Sequence, residues 1–137
     1  MIWVILMSIL FGVSGGNATY YQIMDRNAYK NNAPYQHYNK AWHNWALVRD
    51  ISGVGLGVTI ALDAVDKKSL LIAGSDALLA GAINWTIKDG VYNTKLRRPF
   101  YYQSPVTPAI TEPYGTWYAK TGTLALALLF RILLEER

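Results

Sequence analysis

The sequence contains no cysteine, and this absence excludes several kinds of functional site. Its 137 residues offer no thiol that could act as a nucleophile, form a disulfide framework or bind a metal ion. Charge is also scarce, because Asp, Glu, Lys and Arg make up 16% of the chain, against about 25% of an average soluble domain. With 52% apolar residues, the composition excludes an intrinsically disordered chain, which needs low hydrophobicity and high charge.

The missing charges define long apolar stretches. Residues 1–24, 51–62 and 121–130 carry no charge, and 69–87 carry only Asp76. Their apolar neighbours extend each stretch to about the 20 residues that cross a hydrocarbon core, and none alternates with the period of a strand. The sequence therefore predicts an all-α fold and a single membrane domain, 1–137. This domain is a four-helix transmembrane bundle with spans at about 2–24, 42–64, 69–89 and 116–135.

Two other interpretations of the apolar stretches are less favoured. The helices of a soluble four-helix bundle would each need a wide polar face, and only the second span approaches this, with Arg49 and Asp50. The first span resembles a secretory signal peptide with a cleavage site near Ala18, but it lacks the basic residues that begin such a peptide. We expect the first span to remain in the protein.

Positive charge is concentrated in two of the three connections between spans. Loop 1–2 (25–41) and loop 3–4 (90–115) together hold more Lys and Arg than the short turn near Lys67. The positive-inside rule places both loops in the cytoplasm and both termini outside, in a cell inner membrane. An aromatic belt agrees, since Trp and Tyr favour the headgroup level. It comprises Tyr20, Tyr21, Tyr29, Tyr35, Tyr38, Trp42, Trp45, Trp85, Tyr92, Phe100, Tyr101, Tyr102, Tyr114, Trp117 and Tyr118.

Loop 3–4 is rich in proline and aromatic residues. Proline at high density blocks helices and strand ladders, so we expect an extended, ordered segment across the membrane surface. The loop is either a surface for a partner or a lid over the bundle. The prolines are Pro99, Pro105, Pro108 and Pro113, and the expected aromatic contacts are Phe100, Tyr101, Tyr102 and Tyr114.

Ionisable groups inside a span are costly and need a partner or a function. Spans 3 and 4 run antiparallel, which places Asp76 and Arg131 at similar depth and predicts an intramembrane pair. The pair either fixes the helix register or relays protons. A second polar cluster is expected near the cytoplasmic end, although no tight ligand spacing predicts a metal site. Its members are His43, Arg49, Asp50, Asn84 and Lys88.

Two further groups of residues are candidates for structural roles. Helix-spaced side chains at the end of span 3 and the start of span 4 predict an interface anchor for loop 3–4, formed by Trp85, Asp89, Asn93 and Lys120. Small residues let helices approach closely in lipid. The packing candidates, within one chain or between copies, are Gly53, Gly57, Gly74 and Gly81.

The pattern W-x3-D-x3-N-x5-P-x2-Y follows the third span directly, formed by Trp85, Asp89, Asn93, Pro99 and Tyr102. Together with the basic pair 97–98 and the start of span 2, it resembles small, uncharacterised multi-span membrane proteins of bacteriophages and prophages. The resemblance implies a small phage-associated membrane protein without an assigned activity, and it carries over no catalytic residues.

The expected role is binding or assembly at the cytoplasmic membrane face, without catalysis, a metal or a cofactor. The expected partners are the lipid bilayer and a membrane protein or a second copy of the chain. The net charge of +4 is too small and too dispersed to indicate nucleic acid. Two alternatives are a phage holin-like pore and a small transporter or intramembrane enzyme that uses Asp76 with Arg131 and His43 with Asp50.

Overall fold

The computed structural model describes residues 1–102 and 117–135, which form four α-helices and no strand. The helices are α1 (Ile2–Lys30), α2 (Gln36–Asp66), α3 (Leu70–Lys95) and α4 (Trp117–Glu135). Each is long and apolar enough to cross a membrane. The prediction of an all-α four-helix bundle with transmembrane helices is confirmed.

Three helices are longer than the spans predicted for them. Helix α1 ends at Lys30 instead of residue 24, α2 begins at Gln36 instead of residue 42, and α3 ends at Lys95 instead of residue 89. Hydrophobicity identifies only the part of a helix that lies in lipid, whereas the backbone hydrogen bonds continue into the polar end. All three extensions, about 9 Å each at 1.5 Å per residue, lie at the same end of the bundle.

The turns between helices use left-handed residues that are not glycine. Asn32, Lys68 and Arg97 have φ angles of 52°, 48° and 57°, a region that costs most residues about 1 kcal/mol or more. Ser69 is the N-cap of α3, and its side-chain oxygen accepts a hydrogen bond at 3.4 Å from the backbone amide of Ile72. The helix ends therefore lack the glycine signal that usually marks them in a sequence.

Helix α1 is the centre of the bundle. It packs along both α2 and α3, whereas α4 packs against α3. Its buried stripe repeats every four residues, which is the spacing of one helix face. The stripe consists of Val4, Ser8, Gly12 and Gly16. The core consists of small residues, which let the helices approach each other closely, and of a few larger ones such as Leu56 and Leu79.

The outer surface of the bundle is strongly apolar. Leu70 is 89% exposed, Val54 is 70% exposed and Leu126 is 68% exposed. Proteins whose surface faces water rarely expose large apolar patches of this kind. Buried serine hydroxyls, by contrast, bond to carbonyls one turn earlier, as Ser8 does to Val4 at 2.5 Å and Ser75 to Ile72 at 2.8 Å. Apolar residues outside and hydroxyls bonded within their own helix inside suit a lipid environment.

Candidate functional site: a buried charge cluster and a basic end

A buried arginine joins three helices at the end of the bundle where α1 begins. Arg131 of α4 has no exposed side-chain surface. Its Nε donates to Oδ1 of Asp76 on α3 at 2.5 Å, and its Nη2 donates to Oδ2 of Asp63 on α2 at 2.6 Å. The Asp76–Arg131 pair predicted from the antiparallel register is thus present in the structure, with a second carboxylate that the sequence did not predict.

Two more charged groups border this arginine. Glu135, one turn along α4, places Oε2 at 3.6 Å from Nη1 of Arg131, and the amino group of Met1 lies 3.5 Å from Oδ2 of Asp63. We call Asp63, Asp76, Arg131 and Glu135 the charge cluster. Because Met1 immediately precedes α1, groups from all four helices meet at the charge cluster. The cluster therefore connects α4 with α2, although the backbones of these two helices are not in contact in the described residues.

Sequence reasoning missed Asp63 because it lies at the edge of the predicted span. Positions 63 and 76 flank the turn between α2 and α3, so an antiparallel pair of helices brings their side chains to neighbouring depths. A search for carboxylates on both sides of this turn would have found Asp63. The two carboxylates differ in depth by about one helical turn, and the long side chain of the arginine spans this difference.

The predicted interface anchor assembles at the opposite end. Lys120 of α4 forms an ion pair with Asp89 of α3, and its Nζ lies 5.4 Å from the centre of the Trp85 ring. Nδ2 of Asn93 donates to the carbonyls of Phe100 at 3.1 Å and Tyr102 at 2.8 Å. These contacts fix the residues after α3 and the beginning of α4 to the same surface.

The first residues of loop 3–4 fold back onto α3. Residues 90–95, predicted as loop, belong to the helix because its backbone ladder continues to Lys95. The Phe100 ring covers Gly90, where any Cβ would collide with it, and makes an edge contact with Trp117 at 6.0 Å between ring centres. The predicted ordering by Tyr114 and the three later prolines, Pro105, Pro108 and Pro113, lies outside the described residues.

The predicted polar cluster around His43 does not assemble. His43 is exposed and stacks on Trp42 with ring centres 3.8 Å apart, while the exposed Asp50 pairs with its neighbour Arg49 at 2.7 Å. Helix α1 lies between the remaining members, so that Lys88 and Arg49 approach Gly15 from α3 and α2. Asn84 lies on α3, partly buried. Within residues 1–102 and 117–135, no group of three or more acidic or histidine side chains is arranged to hold a metal ion.

Three of the four glycines predicted to pack have no close contact within the chain. A Cβ added to Gly57, Gly74 or Gly81 would meet nothing within 4 Å, and only Gly53 has a neighbour, the Phe11 ring at 3.1 Å. These three positions face outward because the close helix contacts belong to α1 instead. Their role in self-association stays a prediction.

The close contact between helices is formed by Gly12 and Gly16. A Cβ on Gly12 would lie 2.9 Å from Ile87, and one on Gly16 would lie 2.6 Å from the carbonyl oxygen of Lys88. Their spacing is the small-xxx-small pattern that brings helices together in lipid. The pattern is visible in the sequence, but the first span was interpreted by its hydrophobicity alone.

Exposed cations gather where α1, α2 and α3 extend beyond the apolar core. None of them forms an ion pair with a carboxylate of the described residues. Two lie over aromatic rings, Lys95 over Tyr21 at 5.4 Å and Arg98 over Tyr102 at 4.8 Å. We call this surface the basic end, and its cations are Arg26, Lys30, Lys40, Lys95, Arg97 and Arg98.

The geometry thus separates two regions at opposite ends of the bundle. The charge cluster is enclosed by helices, and the basic end is open. The resemblance to small phage membrane proteins stays a prediction, because comparisons with models of known protein families, with curated proteins and with solved structures give no match to this chain.

Proposed function

We propose that the protein is an integral protein of the cell inner membrane that binds an acidic partner through its basic end, at the cytoplasmic face. Both termini then lie outside and loops 1–2 and 3–4 lie in the cytoplasm, as the positive-inside rule requires. The observation that carries the proposal is the group of six exposed cations without carboxylate partners among the described residues. Complementary charge gives such a surface its specificity and speeds encounter.

Exposed aromatic side chains strengthen the case for a partner. Tyr29 is 66% exposed and Tyr101 is 63% exposed, and both lie among these cations. Tyrosine and arginine are enriched where proteins bind each other. The chemistry of this surface fits a membrane protein that presents Asp and Glu side chains close to the headgroups.

The transport alternative receives less support from the interior of the bundle. Between the charge cluster and the interface anchor, the described residues of α3 and α4 pack as an apolar cluster that includes Leu79, Ile83 and Ala127. Ions and polar solutes need a polar or hydrated route. A binding role needs no such route and fits the packed interior.

Photocrosslinking in intact membranes tests the proposed function. A photoreactive phenylalanine analogue replaces Tyr29 at the basic end, and the matched control replaces Trp3, which is 63% exposed at the other end. We expect a protein adduct from position 29 and none from position 3. The adduct should decrease at least about tenfold in Arg97→Glu/Arg98→Glu, because an interface loses more than about 1.4 kcal/mol through two charge reversals. It should persist in Lys67→Glu.

Three results would contradict the proposal. An equal adduct from position 3 would show that crosslinking is not confined to the basic end. An adduct that survives both arginine reversals would exclude an acidic partner. An adduct composed of lipid alone, or of a second copy of the chain, would replace the partner with the bilayer or with self-association.

A further inference from the structure

The charge cluster contains more negative than positive charge. Two carboxylates, Asp63 and Asp76, bond to the one guanidinium of Arg131. Adding the two neighbouring groups, Glu135 and the Met1 amine, leaves the same excess of one negative charge. The excess belongs to groups that are only partly exposed, such as Asp63 at 17%, and withdrawing an uncompensated charge from water is costly. One more positive charge would therefore stabilise the cluster.

A buried oxygen atom shows where that charge is missing. Asp76 has no exposed surface, and its Oδ1 accepts from Arg131, whereas its Oδ2 has no hydrogen-bond partner among the described residues. The carboxyl groups of Asp63 and Asp76 lie beside each other, because they accept from two neighbouring nitrogens, Nη2 and Nε, of one guanidinium. Two ionised carboxylates have no hydrogen to donate, whereas a proton on one of them would supply it.

The cluster is open to water from one end only. Asp63 is 17% exposed and lines a groove with Met1, Trp3, Thr59 and, one turn beyond the carboxylate, Asp66. Asp76 lies behind it, fully enclosed. Beyond Asp76, towards the basic end, α3 and α4 pack an apolar cluster that includes Leu79, Ile83 and Ala127.

We propose that Asp63 and Asp76 form a proton-binding site that holds one shared proton, taken up from the membrane face where α1 begins. One carboxylate and one proton form a carboxylic acid, which donates to the other carboxylate, and no other bond forms or breaks. Two carboxyl groups that share a proton behave as one titrating pair. Arg131 positions both carboxylates, and the closed interior makes the site a proton sensor and not a conduit.

The groups that face this site come from all four helices. They are the Met1 amine on α1, Asp63 on α2, Asp76 on α3, and Arg131 with Glu135 on α4. Protonation therefore changes the charge where Arg131 of α4 contacts Asp63 of α2. The proton site lies at the end of the bundle opposite to the basic end, and it does not depend on the proposed function.

Infrared spectroscopy of the whole protein in lipid vesicles tests the proton site. Protein labelled with 13C-aspartate identifies the carbonyl stretch of a protonated Asp by its isotope shift. We expect a band from one protonated Asp per chain near neutral pH, which disappears at alkaline pH. The band should be lost in Asp63→Asn and in Asp76→Asn, since either change leaves one carboxylate to match Arg131 and removes the excess charge.

The control is Asp66→Asn, which changes an exposed carboxylate in the same groove and should keep the band. Either Asn variant suffices for the test if the other fails to fold, and the wild-type spectrum is informative alone. No protonated Asp at any pH at which the wild type stays folded would overturn the proposal, as would a band that persists in a folded Asn variant. A band removed by sodium chloride but not by choline chloride would assign the site to a metal cation instead.

Discussion

At the residue scale, arginine–aspartate pairs occur in two different environments of the bundle, one buried and one exposed. Arg131 is enclosed and shared between two carboxylates, whereas Arg49 pairs with the adjacent Asp50 at the surface, with side chains 42% and 64% exposed. The same chemical pair therefore occurs in two environments. Burial makes the first pair costly to break, while water and lipid headgroups can replace the partner in the second.

The residue-scale prediction compares these two arginines. Arg131→Met should lower the free energy of unfolding by about 3–5 kcal/mol, because it leaves the buried carboxylate of Asp76 without its cation. Arg49→Met should cost less than about 1 kcal/mol. Both values are measured by reversible unfolding in mixed detergent micelles.

The pH dependence of Arg131→Met provides a second check. The unpaired carboxylates lose their charge when they bind protons, so the stability deficit should shrink as the pH falls and grow as it rises. Equal deficits for the two arginine variants would mean that the charge cluster does not stabilise the bundle.

At the element scale, the position of α1 depends on the absence of side chains. Gly12 and Gly16 lie one turn apart on the face that contacts α3, and at both positions an added Cβ would be closer than 3.0 Å to an atom of α3. At Gly16 the nearest atom is a backbone oxygen, which cannot move aside as a side chain can. The distance between these two helices is therefore set by glycine.

At the element scale, alanine substitution should have different effects at a glycine packed against another helix and at a glycine without neighbours. Gly16→Ala should destabilise the bundle by about 1–3 kcal/mol, because α1 and α3 must separate to admit the methyl group. Gly57→Ala adds the same methyl group to α2 where nothing lies within 4 Å. It should be neutral or slightly stabilising, since alanine favours helix over glycine by up to about 1 kcal/mol.

The measurement is again reversible unfolding, with helix content followed by circular dichroism. The two substitutions change the same atoms on different helices, so an intrinsic helix preference would shift both variants in the same direction. Equal stabilisation of the two would contradict a close contact between α1 and α3.

At the scale of the whole molecule, the two ends of the bundle differ in shape and charge. At one end, the charge cluster lies next to the short turn at Lys67 and Lys68. At the other end, three helices extend beyond the apolar core and form the basic end. The apolar outer surface lies between them. Such a molecule has a defined orientation in a membrane, because the two ends interact differently with the headgroups on each side.

The natural absence of cysteine makes this orientation directly measurable. Single cysteines in Asn32→Cys and Lys67→Cys report the two ends of the bundle, and both positions are exposed in helix-connecting turns. We expect a membrane-impermeant maleimide to label position 67 in intact cells and to label position 32 only after the membrane is opened. The reverse pattern would place the basic end outside and overturn the proposed orientation.

The fold class of this protein follows from its amino-acid sequence alone. Charge-free stretches of about 20 residues, without the period of a strand, predict four apolar helices, since burial of backbone in lipid leaves little alternative to helix. The antiparallel order of consecutive spans also predicts that Asp76 approaches Arg131 and that Lys120 approaches Asp89. Both contacts follow from local periodicity and from the direction of the chain.

The tertiary structure decided the features that depend on which helix faces touch. Every span is apolar around most of its circumference, so hydrophobicity alone does not distinguish its inner face from its outer face. For this reason the glycines at 57, 74 and 81 were expected to pack and instead face outward, and His43 does not meet Asp50. The packing of α1 along α2 and α3, with α4 against α3, brings Asp63 and Asp76 to the same arginine.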